Sequence, residues 1–277
     1  MTYETIKYDV TDAIATITLH RPEARNGFTA AMSNELSDAF TRADADDAVK
    51  VVVFTASGDY FCVGMDMSVQ GEPEDMEDPE WVEWATRVAR PMTNSNKPII
   101  VAIPGAAVGV GITMTLPADF RLAADDARFG FVFGRRGLAP EAGSLWYLPQ
   151  LVGLAKAKEW MLTGRLVDAS EGLSAGLVTS LHPRAELSEA AYTLARELAT
   201  QMAPTSAAVI RRGLTAMTAH GSPEAAFRLD RKTIPHALRG KDIGEGVAAF
   251  LEKRDPKFVG VARTDIPQLA DWLDGAE

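Results

Sequence analysis

Apolar positions in the first third of this chain follow two different periods. Over Ile6–Val10 and Ala13–Leu19 the residues are β-favouring and largely alternate, which predicts two half-buried strands joined by a hairpin turn at Thr11-Asp12. From Ala30 to Asp46 the period changes. Met32, Leu36, Ala39, Phe40 and Ala43 recur at the spacing of one helix face, so a helix is expected there. Val49–Thr55 is a continuous apolar run closed by Ser57-Gly58-Asp59, the pattern of a strand buried on both faces.

The alternation continues. A helix is expected from about Trp81 to Asn94, feeding a strand over Pro98–Ile103. A short helix starts near Gly109, and a strand follows over Asp119–Ala124. Helices at about Ser144–Val152 and Ala155–Leu162 precede a strand over Leu177–Leu181. From Glu186 onward the pattern is almost entirely helical, with breaks expected at Pro204, Pro223 and Pro235. The chain therefore divides into a mixed α/β core over 1–203 and a helical region over 204–277. Between the strand Val49–Thr55 and the helix from about Trp81 lies Gly71–Glu80, where six acidic residues and two prolines predict a solvated, mobile loop.

Composition narrows the function more than the fold. With 277 residues the chain is long enough to bury one large core. A net charge of −10 argues against nucleic acid, whose phosphates an acidic surface repels. Cys62 is the single cysteine, so no intrachain disulfide can form and a reducing setting is natural. The amino-terminal MTYETIKYDV lacks a basic-then-apolar profile, and together these predict a cytoplasmic protein. Pro98–Ala118 carries no charge over 21 residues, but prolines and glycines interrupt it, so a buried strand and turn are expected rather than a membrane span.

The chemistry concentrates in that stretch. A strand, then Pro104-Gly105-Ala106-Ala107-Val108-Gly109-Val110-Gly111, then a helix start puts orphan backbone N–H groups where a ligand can approach closely. Such a turn suits an anion, either a phosphate or a developing oxyanion. The phosphate alternative is a dinucleotide fingerprint, with Asp125 as its acidic residue. Met114 stands where its third glycine belongs, and the span from Ile103 to Asp119 is short for a parallel crossover with a full helix. A second donor turn is expected over Phe61–Met67, after the strand at Val49–Thr55.

Five segments in order resemble the enoyl-CoA hydratase/isomerase, or crotonase, superfamily. They are His20-Arg21-Pro22-Glu23-Ala24-Arg25-Asn26; Phe61–Met67 (FCVGMDM); Lys97–Ala102 through Arg121-Leu122-Ala123; Ala127–Gly130 with Gly137–Gly153; and Phe250–Arg254 with Phe258. The resemblance implies a crotonase-like spiral of β-β-α units with a C-terminal α-helical region for trimerisation. It also implies a homotrimer or dimer of trimers. The substrate is an acyl-CoA thioester that itself carries coenzyme A, with no tightly bound cofactor. The enolate oxygen is then held by the backbone N–H groups of Met65 and Val110. The coenzyme A end is expected against Ala24, Arg25, Gly27, Val63, Asp66 and Met67, with Phe258 and Lys257 reaching it from a neighbouring helix. Within this family the acidic loop acquires a second reading, as a lid over the acyl chain.

One departure matters. The two glutamates that typical hydratases use fall on Thr113 and Phe133 here. Glu141 instead occupies the place where the peroxisomal type of enoyl-CoA isomerase carries its single glutamate, while related dehalogenases carry a nucleophilic aspartate there. Phe131, Phe133, Leu138 and Trp146 are expected to surround Glu141 and raise its pKa. The plainer role for Glu141 is a helix-start residue favoured by the helix dipole. Thr113 and Ser144 have no evident base partner, which argues against a Ser-His-Asp hydrolase, and the four histidines show no metal-ligand spacing. The sequence thus favours double-bond isomerisation or hydration with Glu141 as acid/base. The alternatives are a non-catalytic acyl-CoA-binding homologue, dehalogenation and thioester hydrolysis.

Overall fold

A computed structural model describes residues 3–68 and 74–274. The strands β1 (Ile6–Thr11) and β2 (Ile14–Leu19) form the expected hairpin, with Asp12 and Ala13 both left-handed at φ 52° and 62°. That pair of positive φ values gives a turn whose twist matches the strands it joins. The helix α1 (Ala30–Ala45) follows, capped by Thr29, whose hydroxyl accepts from the Met32 N–H. Its buried face carries the residues picked out by their spacing. Then come β3 (Val51–Ala56), α2 (Trp84–Asn94), β4 (Ile99–Ile103), the two-residue β5 (Ala107–Val108) and the single-turn α3 (Val110–Thr113).

The chain continues through β6 (Phe120–Ala124), β7 (Arg128–Gly130), a 3-10 turn at Phe133–Arg136, α4 (Ser144–Val152), α5 (Leu154–Thr163), β8 (Leu166–Asp168) and α6 (Ala169–Ala175). The strand expected over Leu177–Leu181 is displaced to β9 (Ser180–His182), because Leu177 and Val178 turn back onto Gly172 through their N–H groups. The remainder is helical: α7 (Leu187–Gln201), α8 (Pro204–Met217), α9 (Glu224–Leu238), α10 (Asp242–Glu252) and two short helices near the end. The break expected at Pro235 is absent. Pro235 lies inside the last turns of α9, while Pro204 and Pro223 stand at helix starts, where a missing N–H costs nothing.

The large sheet runs in the order β1-β2-β3-β4-β6-β9, parallel from β2 onward. A second, smaller sheet orders β5-β7-β8, and single bridges extend its ladder: Phe28 to Met65, and Cys62 to Ala107. Each turn of the chain therefore lays one strand in the large sheet, one short bridge or strand in the small one, then a helix. This is a spiral of β-β-α units within a mixed α/β fold. The parallel pairing of β4 and β6 is achieved without a full crossover helix, since β5 and α3 together span the gap.

Buried apolar side chains form two clusters, one over Ile6–Ala199 and a smaller one over Ala208–Leu273. Arg211 fastens α8 to the first. Its guanidinium is buried and donates to Asp119 Oδ2 at 2.7 Å and to the carbonyls of Thr93, Ser95 and Pro117. Among the described residues, no helix is long and apolar enough to cross a membrane.

Candidate active site

Two turns meet beside α3, and glycine geometry explains how closely. A side chain at Gly111 would place its Cβ 2.2 Å from the Cys62 carbonyl oxygen, a distance no real Cβ tolerates. Gly109 has φ 57° and ψ −126°, a conformation essentially restricted to glycine. The turn after β3 therefore lies directly against the turn after β4. Phe61 and Cys62 donate to the Ala106 carbonyl at 3.1 and 3.2 Å, and Val108 donates back to Cys62 at 2.9 Å.

Accounting for the backbone donors locates what is left over. The Phe28 N–H goes to Gly64, Asp66 to Phe28, Gly109 to Gly130, and both Ile112 and Thr113 to Gly109. The N–H groups of Met65 and Val110 have no acceptor among the described residues. Neither do those of Val63 and Gly64 on one turn and Gly111 on the other. A concentration of unpaired donors at one meeting point is an anion-accepting arrangement. Val110 itself is only 5 % exposed, so its branched side chain packs into the core.

Glu141 arrives from the other side, after the 3-10 turn at Phe133–Arg136. Ala142 at φ 55° and Gly143 at φ 67° turn the chain sharply behind it. Its carboxyl oxygens accept from the Thr113 hydroxyl at 2.8 and 3.0 Å. Thr113 lies one turn after Val110 on α3, so the acid stands beside the helix whose first amide is unpaired. Burial pushes the Glu141 carboxyl up to about 8; the Thr113 hydrogen bond opposes that shift and the charge of Glu83 adds to it. Glu83 is committed elsewhere, since its carboxylate caps α2 by accepting from the Ala85 and Thr86 N–H groups at 2.8 Å.

Several sequence expectations can be placed at this point. Of the four apolar side chains expected around Glu141, Phe131 and Phe133 are buried, while Leu138 and Trp146 are 61 % and 40 % exposed. The Glu141 carboxyl bonds Thr113 and makes no capping bond to an amide of α4. Thr113, which showed no partner in the sequence, finds Glu141. Among the described residues Ser144 remains without one, its hydroxyl buried and unbonded. The Cys62 thiol, fully buried, is held up near 12, by burial first and with the Glu141 charge adding to it against the Gly64 carbonyl contact.

The residues expected at the coenzyme A end mostly come together. Arg21 spans them, donating to the Gly27 carbonyl at 2.6 Å and pairing with Asp66 at 2.9 Å. Ala24 accepts from the Gly27 N–H, and a Cβ on Gly27 would touch Asp66 at 3.0 Å. Arg25 is exposed and left-handed at φ 52°, its guanidinium 5.5 Å from the Tyr60 ring centroid. Val63 and Met67 lie on the same turn as Asp66, and Met67 is 86 % exposed. Within the single chain Phe258 packs beside Gly246 on α10, and its carbonyl accepts from Lys50 at the start of β3, opposite the strand end where Asp66 lies.

The sequence reading missed the anchoring of the acidic loop. Gly71, Glu72 and Pro73 lie outside the described residues, but Glu74 is not a freely solvated side chain. It accepts from the indole N–H groups of Trp81 and Trp84 at 2.7 and 2.9 Å and from the two terminal Arg87 nitrogens at 3.0 and 2.6 Å. Two tryptophans and an arginine downstream were the available signal. Among the described residues, no group of three or more histidine, cysteine or acidic side chains could hold a metal ion.

Comparison with known proteins adds a family context. Residues 9–261 match the family described as Enoyl-CoA hydratase/isomerase. The chain is 39% identical over 249 residues to the enoyl-CoA hydratase ACTT3 of Alternaria alternata, covering 89% of this chain and 83% of that protein. It is 31% identical to the 1,2-epoxyphenylacetyl-CoA isomerase of Escherichia coli K12, covering 93% and 99%. Among solved structures it resembles a probable enoyl-CoA hydratase/isomerase from Mycobacterium abscessus at 34% identity and TM-score 0.85, over 92% of this chain and 98% of that one. It also resembles a putative enoyl-CoA hydratase from Streptomyces coelicolor at 32% identity and TM-score 0.86, over 94% and 95%. The relatives' names include both hydratases and an isomerase.

Proposed function

The chain belongs to the enoyl-CoA hydratase/isomerase family, and from that premise we propose that it moves a carbon–carbon double bond of an enoyl-CoA through a thioester enolate. Glu141 is the proton carrier, and the N–H groups of Met65 and Val110 receive the enolate oxygen. The carboxylate takes a proton from the carbon next to the thioester carbonyl, the C–H electrons pass into the carbonyl, and the charge develops on its oxygen. Collapse of the enolate returns the proton two carbons further along. One carboxyl that can hold and release a proton is sufficient for this shift.

A single observation carries the reading. Glu141 is a desolvated carboxyl near neutrality, facing the helix that begins at an unpaired amide, with Thr113 and Phe133 where a hydratase needs its two acids. Placing water across the double bond calls for a second positioned group, and Glu83 is occupied in capping α2. Each oxyanion donor contributes about 10²–10³ in rate where such donors have been removed. The substrate supplies the coenzyme A, which we place along Ala24, Arg25, Gly27, Val63, Asp66 and Met67. The expected assembly is a trimer or dimer of trimers.

The test uses purified protein with 3-enoyl-CoA and 2-enoyl-CoA, following absorbance of the conjugated thioester. Gain of that signal from the 3-enoyl substrate, lost in Glu141→Gln, supports isomerisation. Disappearance of the 2-enoyl signal without any gain points to hydration by Glu141 instead. Binding without either change leaves a non-catalytic homologue.

A further inference from the structure

The Thr113 hydroxyl lies within reach of two different acceptors. It is 2.8 and 3.0 Å from the two Glu141 oxygens and 3.2 Å from the Gly109 carbonyl oxygen, and the side chain is fully buried. A hydroxyl has one proton to donate and two lone pairs to offer. When Glu141 is a carboxylate, the Thr113 O–H satisfies it. When Glu141 is protonated, its own O–H can donate to the Thr113 oxygen, and the Thr113 proton is released to turn toward Gly109.

We propose that Thr113 is a positioning residue that serves both protonation states of Glu141, switching its proton between that carboxyl and the Gly109 carbonyl. The assignment of Glu141 as proton carrier rests on the function proposed above; the hydroxyl switch itself rests on the hydrogen-bond geometry. No proton is lost or gained in the exchange. The base step breaks the substrate C–H bond, moves its electrons to the thioester oxygen and puts the proton on Glu141, and Thr113 only reorients.

The Gly109 carbonyl has a further consequence. It belongs to the same peptide group as the Val110 N–H. A hydrogen bond donated to a peptide carbonyl polarises the group and strengthens its N–H as a donor. Protonation of Glu141 would therefore sharpen one unpaired donor at the moment an oxyanion forms. Two backbone N–H groups, of Ile112 and Thr113, already share that carbonyl at 3.1 Å, so the added polarisation is a modest increment.

The other groups facing Glu141 do not duplicate this role. Glu83 at the start of α2 bears a like charge and is held by its own cap. The Cys62 thiol stays neutral across the working range. Among the described residues, Thr113 alone supplies the carboxyl with a side-chain hydrogen bond.

The experiment is a pH titration of the Glu141 carboxyl by infrared difference spectroscopy on the intact protein without substrate, with Glu141→Gln identifying the band. Thr113→Val removes the bond to both forms, and because the bond to the ionised carboxylate is about twice as strong as that between neutral groups, the titration midpoint should rise by about one unit or more. Thr113→Ser keeps the hydroxyl and should restore it. A Thr113→Val midpoint equal to that of the parent overturns the proposal, as does a Thr113→Ser shift as large as that of valine. The pH profile of turnover, recorded on the same variants, separates the two readings. A carboxyl that titrates as expected while Glu141→Gln keeps full turnover sinks the proton-carrier role and leaves the hydroxyl switch standing.

Discussion

Glu74 and Glu141 are both tied to their neighbours by short hydrogen bonds, yet their carboxyls are driven in opposite directions. Glu74 is held down to about 2, by Arg87 first, then by the indole of Trp84 and with that of Trp81 assisting. Glu141 is pushed up to about 8, because burial outweighs the one hydroxyl it meets. The difference is the supply of donors. Arg87 brings a full charge and two N–H groups to a partly solvated site, while Thr113 brings a single neutral O–H to a desolvated one. One glutamate has become a structural clamp with no proton to give. The other has been left able to exchange one.

Removing the carboxyl where it is scarce should have the largest effect. Glu141→Gln is expected to lower turnover on the 3-enoyl substrate by about 10³-fold or more with little change in KM, as loss of a group acting on the reacting carbons should. Stability should move the other way. The folded pKa lies above the unfolded value near 4.5, so the native state holds the extra proton between those limits and wild-type stability falls as pH rises from about 4.5 to about 8. Glutamine never ionises, so the variant should gain on the wild type by a few kcal/mol above pH 8. Equal melting curves at pH 9 would mean that Glu141 is not desolvated.

The pH profile sharpens the same contrast. A carboxylate base must be ionised before it can act, so kcat/KM should rise tenfold per pH unit up to about 8 and then level off. A plateau already reached at pH 5 would put Glu141 in the same condition as Glu74.

How far these two residues could be read from the sequence follows from their ranges of interaction. The glycine turn was legible because its local chemistry, a strand ending in small residues before a helix, restricts the backbone by itself. Glu141 was found through its place in a family pattern. Its surroundings were less legible: a place in a pattern does not say what covers a side chain, and of the four apolar residues expected near it Phe131 and Phe133 are buried while Leu138 and Trp146 are exposed. Thr113 meeting Glu141 joins residues 28 apart, and no spacing rule encodes it. The Glu74 clamp was hidden by composition. A run rich in acids reads as solvated, and only the fold brings Trp81, Trp84 and Arg87 around one member of it. Phe258 shows the same limit: a family motif nominates it for the coenzyme A end, and no spacing within the chain says that its carbonyl meets Lys50.

Breaking the clamp should cost less. Arg87→Met leaves Glu74 with two indole donors and no charge partner, and should destabilise the fold by about 1 kcal/mol at neutral pH, the scale of a partly solvated ion pair. Because the folded pKa of Glu74 lies below its unfolded value, its contribution is present above pH 4.5 and disappears as pH falls toward 2. Wild type and variant should therefore converge in melts taken at low pH. A gap that stays constant from pH 7 to pH 2 would mean that Arg87 acts through packing rather than charge.

The smallest expected effect is at Ala142, and it tests whether the lone acid is held by strain. An L-residue at φ 55° is less stable than glycine there by about 1 kcal/mol, while glycine adds freedom to the unfolded chain worth about half of that. Ala142→Gly should therefore leave stability within about 0.5 kcal/mol of the parent, whereas Ala142→Val, with a branched side chain at positive φ, should lose more than 1 kcal/mol. The kinetic response is the informative part. Ala142 is buried and adjoins Glu141, so the left-handed turn helps to fix where the carboxyl points. Loosening that turn should lower turnover several-fold without altering KM. If Ala142→Gly instead turns over at the wild-type rate, the shared hydrogen bond from Thr113 is sufficient to orient the acid, and the backbone strain is only a consequence of the chain's route into α4.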